Sequence, residues 1–305
     1  MLGRFGRDAG SLLGVEIAPD SVRLMQVQRR RGHACVQAWA LEPFEAQAFQ
    51  DGWISAPEPV IAALRTACRR SKSRQRKVAV ALSGSQVICK VHHMPAGLGE
   101  ATMETRLLVE ADRFIPFPLD DLALDFHVLG PSRSHPGQVD VMIAACRQSL
   151  LEPLEQLLEA AGLRAGRVEV DSFALASVLP RSGQEASAVL QIETGQATLH
   201  AWNGTVLPQR HELPPGPIDA AWLDGLVLLV EAHAARCPLE RLLLAGPGGA
   251  RAAILPALET RLGIACEVID PLVGLHLAGV SNADALRAQG SAMALACGLA
   301  LGGLA

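Results

Sequence analysis

Two stretches of this chain share one layout: GVEIAPDSVRL at 14–24 and LQIETGQATLHAW at 190–202. In each, a short apolar strand runs into a tight corner of small and polar residues and returns as a second strand. A further strand follows each hairpin, 34–41 in the first case and a segment beyond the Asn203-Gly204 turn in the second. Each then leads to a helix and a buried strand: 57–70 and Lys77–Leu82 in the first half, RLLLAGPGGARAAILPALETRLGIACEV in the second. A pattern met twice in this order predicts a two-domain α/β chain whose halves are related by duplication.

Residues 86–170 interrupt that rhythm. A strand (87–93) precedes an amphipathic helix over 99–114 whose apolar stripe is Met103, Leu107, Leu108, Ala111 and Phe114. Pro116 and Pro118 end it, since proline cannot continue the hydrogen-bond ladder. Strands LALDFHVLG and VDVMIAACR, a helix with a leucine stripe (Leu150, Leu151, Leu154, Leu157, Leu158) stopping at Gly162, and strand RVEVD complete a β-α-β-β-α-β order. The expected division is a first domain over 1–85, rejoined by 171–185 and a closing helix over 289–305. The inserted module is 86–170 and the second domain 186–288.

Length, composition and charge narrow the function. The 305 residues suffice for two cores. Tyrosine is absent and aromatics are 4%, so platforms for stacking bases are scarce, and the net charge of −4 likewise argues against nucleic acid. The charge is uneven: residues 1–77 carry +6 and the remainder −10. Seven basic residues crowd 65–77. They read either as a solvated helix C-terminus or as a contact for acidic lipid headgroups or an acidic partner. Seven dispersed cysteines without a CxxC pair fit free thiols in a reducing compartment. Residues 1–14 lack the apolar core of a signal peptide, and the uncharged tail after Arg287 is short of a bilayer span, so it is expected to be a buried helix in a cytoplasmic protein.

Catalytic motifs are not found. No GxxxxGK[ST] is present. Gly246-Pro247-Gly248-Gly249, between a strand and a helix, reads either as an anion cradle or as a plain βα turn. His92-His93 alternate faces of a strand and suit no metal, and Asp120, Asp121 and Asp125 read as a turn and strand start. No nucleophile, base and orienter assemble from spacing, so neither a catalytic residue nor a metal ligand is assigned.

The stretch METRLLVEADRFIPFPLDDLALDFHVL at 103–129 resembles the PilM family of type IV pilus assembly, above all in FIPFPLDD. The likeness continues in DVMIAACR (140–147), PLEQLLEAAGLRAGRVEVDSFALA (153–176) and ACGLAL (296–301). It implies an actin-like fold similar to the cell-division protein FtsA, with an inserted module where 86–170 sits. It also implies a scaffold at the inner face of the inner membrane that binds the N-terminal cytoplasmic peptide of PilN. Contact with the membrane would be peripheral; other pilus assembly proteins and self-association stay open as partners.

Measured against that family, whose first phosphate loop reads close to V-D-I-G-S-S-S-V-K-L, the corner here is altered. Glu16 stands for aspartate, Ala18 for glycine, and Pro19 and Asp20 for serines before Ser21. In the second loop Gln191 and Glu193 replace the aspartate and glycine of V-D-I-G, ahead of Gly195. With Gly246, Gly248 and Gly249 these positions are expected to be vestigial nucleotide corners. Pro19 removes a donor, and the acids stand where phosphate oxygens would. Only about thirty residues separate Pro208 from the RLLLAG strand, so the lid of the second domain is expected to be reduced. No cofactor and no catalysis are expected, and an ATPase that gates assembly by ATP and magnesium is the alternative. The cytoplasmic half of a type II secretion L protein would share the fold. The partner site is expected at Phe114, Ile115, Pro116 and Phe117, with an open strand carrying Val141, Ile143 and Ala145.

Overall fold

A computed structural model describes residues 11–45, 48–50, 53–179, 187–204 and 206–304. The N-terminal segment judged against a signal peptide, and part of the 171–185 return, lie outside these.

The chain opens with a meander of β1 (Leu13–Ile17), β2 (Ser21–Arg30) and β3 (His33–Pro43). A ribbon of β4 (Phe49–Gln50) and β5 (Trp53–Ile54) leads to α1 (Pro57–Ser71), which begins on proline and ends where Lys72 turns left-handed at φ 56°. β6 (Lys77–Leu82) then pairs parallel to β1. An excursion of β7 (Ile88–Pro95), α2 (Glu100–Glu110), β8 (Leu122–Pro131) and β9 (Gln138–Arg147) follows. The chain returns through α3 (Gln148–Ala160) and β10 (Arg164–Val170), and α4 (Asp171–Ala176) carries it across to the second half.

That half repeats the plan: β11 (Ser187–Glu193), β12 (Gln196–Trp202), β13 (Gln209–Leu213), α5 (Ala220–Ala234), β14 (Arg241–Ala245), α6 (Gly248–Leu262) and β15 (Ala265–Val268). It closes with α7 (Ala283–Ala288) and α8 (Ala294–Gly302). The sheets run β10-β6-β1-β2-β3 and β13-β12-β11-β14-β15, so each places its opening hairpin beside two parallel strands in the same order. This is the duplicated arrangement of an actin-like fold. Between β13 and β14 the second half has α5 alone, whereas the first half spends β7 to β9 between β6 and β10.

β10 corrects the expected module. RVEVD pairs parallel with β6, from Arg164 opposite Lys77 to Val170 opposite Leu82, and so is the outer strand of the first sheet. Leu157 and Leu158 of α3 join the first-domain core with Val15, Leu24, Val60, Leu64 and Val80. A parallel pair needs a crossover element, and α3 supplies it. The excursion proper is β-α-β-β, one three-stranded sheet ordered β7-β9-β8. That sheet is narrow, so α2 buries Met103 and Leu107 while Leu108, expected in the stripe, is 48% exposed.

The uncharged tail lies between the halves. α8 packs on β1 and β2, and its small residues are dictated by close approach. A Cβ on Gly298 would lie 2.0 Å from the Ala174 carbonyl oxygen, and one on Gly14 2.1 Å from that of Ala296. Buried Leu295 and Leu299 face a core shared with Val189 and Leu243 of the second sheet.

Candidate functional site

The corner after β1 is a closed turn. The Ala18 N–H donates to the Ser21 carbonyl at 2.8 Å, and the Asp20 carbonyl accepts from Phe44. Pro19 has no donor, and the Asp20 carboxylate accepts from the Ser21 hydroxyl at 3.0 Å and from the Thr194 hydroxyl at 2.5 Å. Asp20 thus ties the first corner to the second.

The second corner turns at Gly195, with φ +69°, whose carbonyl accepts from Gly216. At the third, Gly246 has φ +113°, and a Cβ there would meet the Ile192 carbonyl oxygen at 1.9 Å. Its N–H donates to the Ser291 carbonyl, and its own carbonyl accepts from Ser291 Oγ and Arg251 Nε. Glycine serves a backbone crossing here, which favours the βα-turn reading. Gly248 and Gly249 open α6 behind it.

Between the corners stands a residue that the sequence reading passed over. Arg23 projects from β2 toward the second sheet and is 1% exposed. It grips Glu193 with two parallel bonds, 2.8 Å to Oε1 and 2.6 Å to Oε2. It also donates to Glu16 Oε1 at 3.2 Å, the Ala292 carbonyl at 3.0 Å and Ser21 Oγ at 3.2 Å. Gln191 donates to the same two acids, at 3.2 and 3.3 Å. Burial opposes the guanidinium charge, but the Glu16 and Glu193 carboxylates outweigh it and raise the Arg23 pKa. Burial pushes Glu16 up to about 7, with Arg23 opposing and Glu193 adding. Glu16 Oε2 has no hydrogen-bond partner among the described residues. One signal pointed here: in SVRLMQV a lone cation alternates with apolar residues on a strand face that must be buried, and a buried charge requires partners.

The space left beside this cluster is about 160 Å³, lined by Glu16, Pro19, Ser83, Asp171, Glu193 and Arg210 among others. Cavities that bury cofactor-sized ligands run to roughly 300–1,000 Å³. Asp171 on its wall is occupied by the Gly84 N–H at 3.1 Å and Arg210 Nε at 3.0 Å. Behind it, buried His200 pairs with Ser172 at 2.8 Å, and burial pulls its pKa down to about 4. Among the described residues no group of three His, Cys, Asp or Glu side chains could hold a metal ion.

A second cavity, of about 450 Å³, was not anticipated. Val15 and Ile17 of β1 and Val80 and Leu82 of β6 form its floor. Ile54 of β5 with Pro57 and Ile61 of α1 make one wall, and Leu150, Pro153 and Leu154 of α3 the other. The leucine stripe of α3 is wider than the core can cover, which leaves Leu150 and Leu154 half-buried along the groove.

The expected partner residues fall elsewhere. β9 is the central strand of its sheet, paired with β7 and β8 on either side, so it offers no open edge. Val141, Ile143 and Ala145 lie under α2 and its continuation and are buried, as is Ile115. Phe114 and Phe117 pack half-buried in the same clusters, with the Arg147 guanidinium 5.1 Å over the Phe117 ring. Pro116 alone of that corner is exposed. The reason is register: Val141 and Ile143 stand opposite Val128 and Phe126 on the face that α2 covers.

Among the described residues no helix is long and apolar enough to cross a membrane. Residues 14–202 match the family model described as type IV pilus assembly protein PilM. The fold is similar to a solved chain of a PilM–PilN type IV pilus biogenesis complex, at 23% identity and a TM-score of 0.75, over 97% of this chain and 99% of that one. It is also similar to the ethanolamine utilization protein EutJ from Carboxydothermus hydrogenoformans, at 13% identity and a TM-score of 0.53, over 95% and 89% of the two chains. The family model spans well over half of the chain, including both rewritten corners and the whole excursion, and on that ground the chain belongs to the PilM family of type IV pilus assembly proteins.

Proposed function

We propose that this protein is a non-hydrolysing scaffold of type IV pilus assembly, and that it holds a short peptide of a PilN-type membrane protein in the groove between α1 and α3. The contrast between the inter-sheet cleft and the α1–α3 groove carries the reading. The inter-sheet cleft is small and its charges are matched internally by Arg23, which leaves little room or free charge for a triphosphate and its metal. The α1–α3 groove is larger, apolar and open, with Gln86 and Gln156 at its margin to bond a peptide backbone. The solved relative is a PilM assembled with PilN, which supports the class of partner.

The test is fluorescence anisotropy with a synthetic peptide of the cytoplasmic N-terminus of a PilN-type protein. Leu154→Asp, which puts a charge in the groove wall, should weaken binding by at least about tenfold, while Phe117→Ala should leave it within about twofold. The reverse ranking would move the site back to the FIPFP corner. Calorimetry with Mg-ATP completes the test: affinity tighter than millimolar would favour the gating ATPase instead.

A further inference from the structure

The basic run 65–77 noted in the sequence meets a second one, Arg29-Arg30-Arg31, at the end of the first domain. The β2–β3 hairpin tip, where Arg31 and Gly32 turn at φ 51° and 85°, carries Arg29 and Arg30. The loop leaving α1 carries Lys72 and Arg74. Between them lies a polar groove of about 460 Å³. Arg30, Lys72 and Arg74 supply its charge and Gln28, Gln37 and Gln75 its amides; among the described residues no acidic side chain lines it.

The loop is held rigidly for a segment without regular structure. Ser73 is buried, its hydroxyl donating to Gln26 Oε1 at 2.9 Å and accepting from the Gln75 N–H at 3.1 Å. Gln75 Oε1 in turn accepts the N–H groups of Arg76 and Lys77. Lys72 and Arg74 are therefore presented outward from a fixed frame, both exposed, and among the described residues no acidic side chain pairs with them. The nearest pair in the region, Arg70 with Glu42, involves neither.

We infer that this groove and its rim are a docking surface for the phosphate groups of an anionic lipid bilayer. The chemistry separates this occupant from an acidic peptide. A peptide gains most of its affinity from side chains seated in apolar pockets, and among the described residues Ala38 is the single apolar one lining this groove, whereas phosphates are met by guanidinium, ammonium and amide donors. Clustered cations on one face of a protein that is negative elsewhere also orient it toward a negative plane. The surface lies on the β2–β3 and α1 C-terminal end, and its residues are distinct from those of the α1–α3 groove. Loss of one function therefore leaves the other measurable.

Vesicle co-sedimentation of the full-length protein tests the assignment. Phosphatidylglycerol–phosphatidylethanolamine vesicles should bind it and phosphatidylcholine vesicles should not, with binding falling as salt is raised. Arg30→Glu/Lys72→Glu/Arg74→Glu should reduce binding by at least about tenfold. Arg106→Glu/Arg113→Glu/Arg133→Glu, the same charge change on exposed residues of the β7–β9 excursion, should retain it. A thermal melt confirms that both variants fold, and single reversals replace the triple if it does not. Absence of binding, equal binding to neutral vesicles, or equal loss in the two variants would overturn the proposal. So would capture of free inorganic pyrophosphate by the wild type with no vesicle binding.

Discussion

The cleft between the two sheets and the groove between α1 and α3 are separated by a single strand, and they have opposite characters. β1 presents Val15 to the groove and Glu16 to the cleft, with Ile17 at the end of the strand bordering both, and β2 repeats the division with Leu24 on one side and Arg23 on the other. Successive residues of a strand alternate faces, so a five-residue segment can floor an apolar groove and anchor an ion cluster at once. One face has its polar groups bonded to each other, while the other keeps apolar surface open to solvent.

The largest effect that would test this contrast is on the cluster itself. Arg23→Met leaves two buried carboxylates facing each other without a cation, and should cost about 3–5 kcal/mol in urea denaturation. The triple change Arg23→Met/Glu16→Leu/Glu193→Met should recover most of that loss, because a matched apolar replacement removes the uncompensated charge. A single-variant cost below about 1 kcal/mol would mean that the cleft is hydrated and open, and the contrast would collapse.

A smaller effect follows from Glu16, held at about 7 by burial against an ordinary value of 4.5. A carboxyl whose folded pKa is raised binds protons more tightly when folded. Its contribution is therefore full below about 4.5 and is lost as pH rises through 7. Relative to Glu16→Gln, the wild type should lose up to roughly 3 kcal/mol between pH 5 and pH 8. His200, depressed to about 4, has the opposite sign below 6.5, and the difference between the two proteins cancels it. Parallel melts across that range are the measurement, and a flat difference would show that Glu16 stays ionised.

The smallest expected change is in nucleotide binding on rewriting the first corner. Glu16→Asp/Ala18→Gly/Pro19→Ser/Asp20→Ser should give no calorimetric signal with Mg-ATP, since Arg23 and Glu193 remain in the cleft. Recovery of binding would show that the corner alone had silenced the site.

Local pattern was enough for part of this. The repeated hairpins, the switch of rhythm over 86–170 and the Ala/Gly tail are each written in neighbouring residues, because period-2 and period-3.6 burial and close helix approach act over a few positions. FIPFPLDD likewise pointed to the family. Tertiary structure decided the rest. RVEVD became the outer strand of the first sheet because β6 lay open to it, and β9 became central because both neighbours paired with it. Arg23 acquired its meaning from Glu193, 170 residues away, and Lys72 and Arg74 from a hairpin more than forty residues upstream. Such partners are chosen by which faces the fold brings together, and no local periodicity encodes that choice.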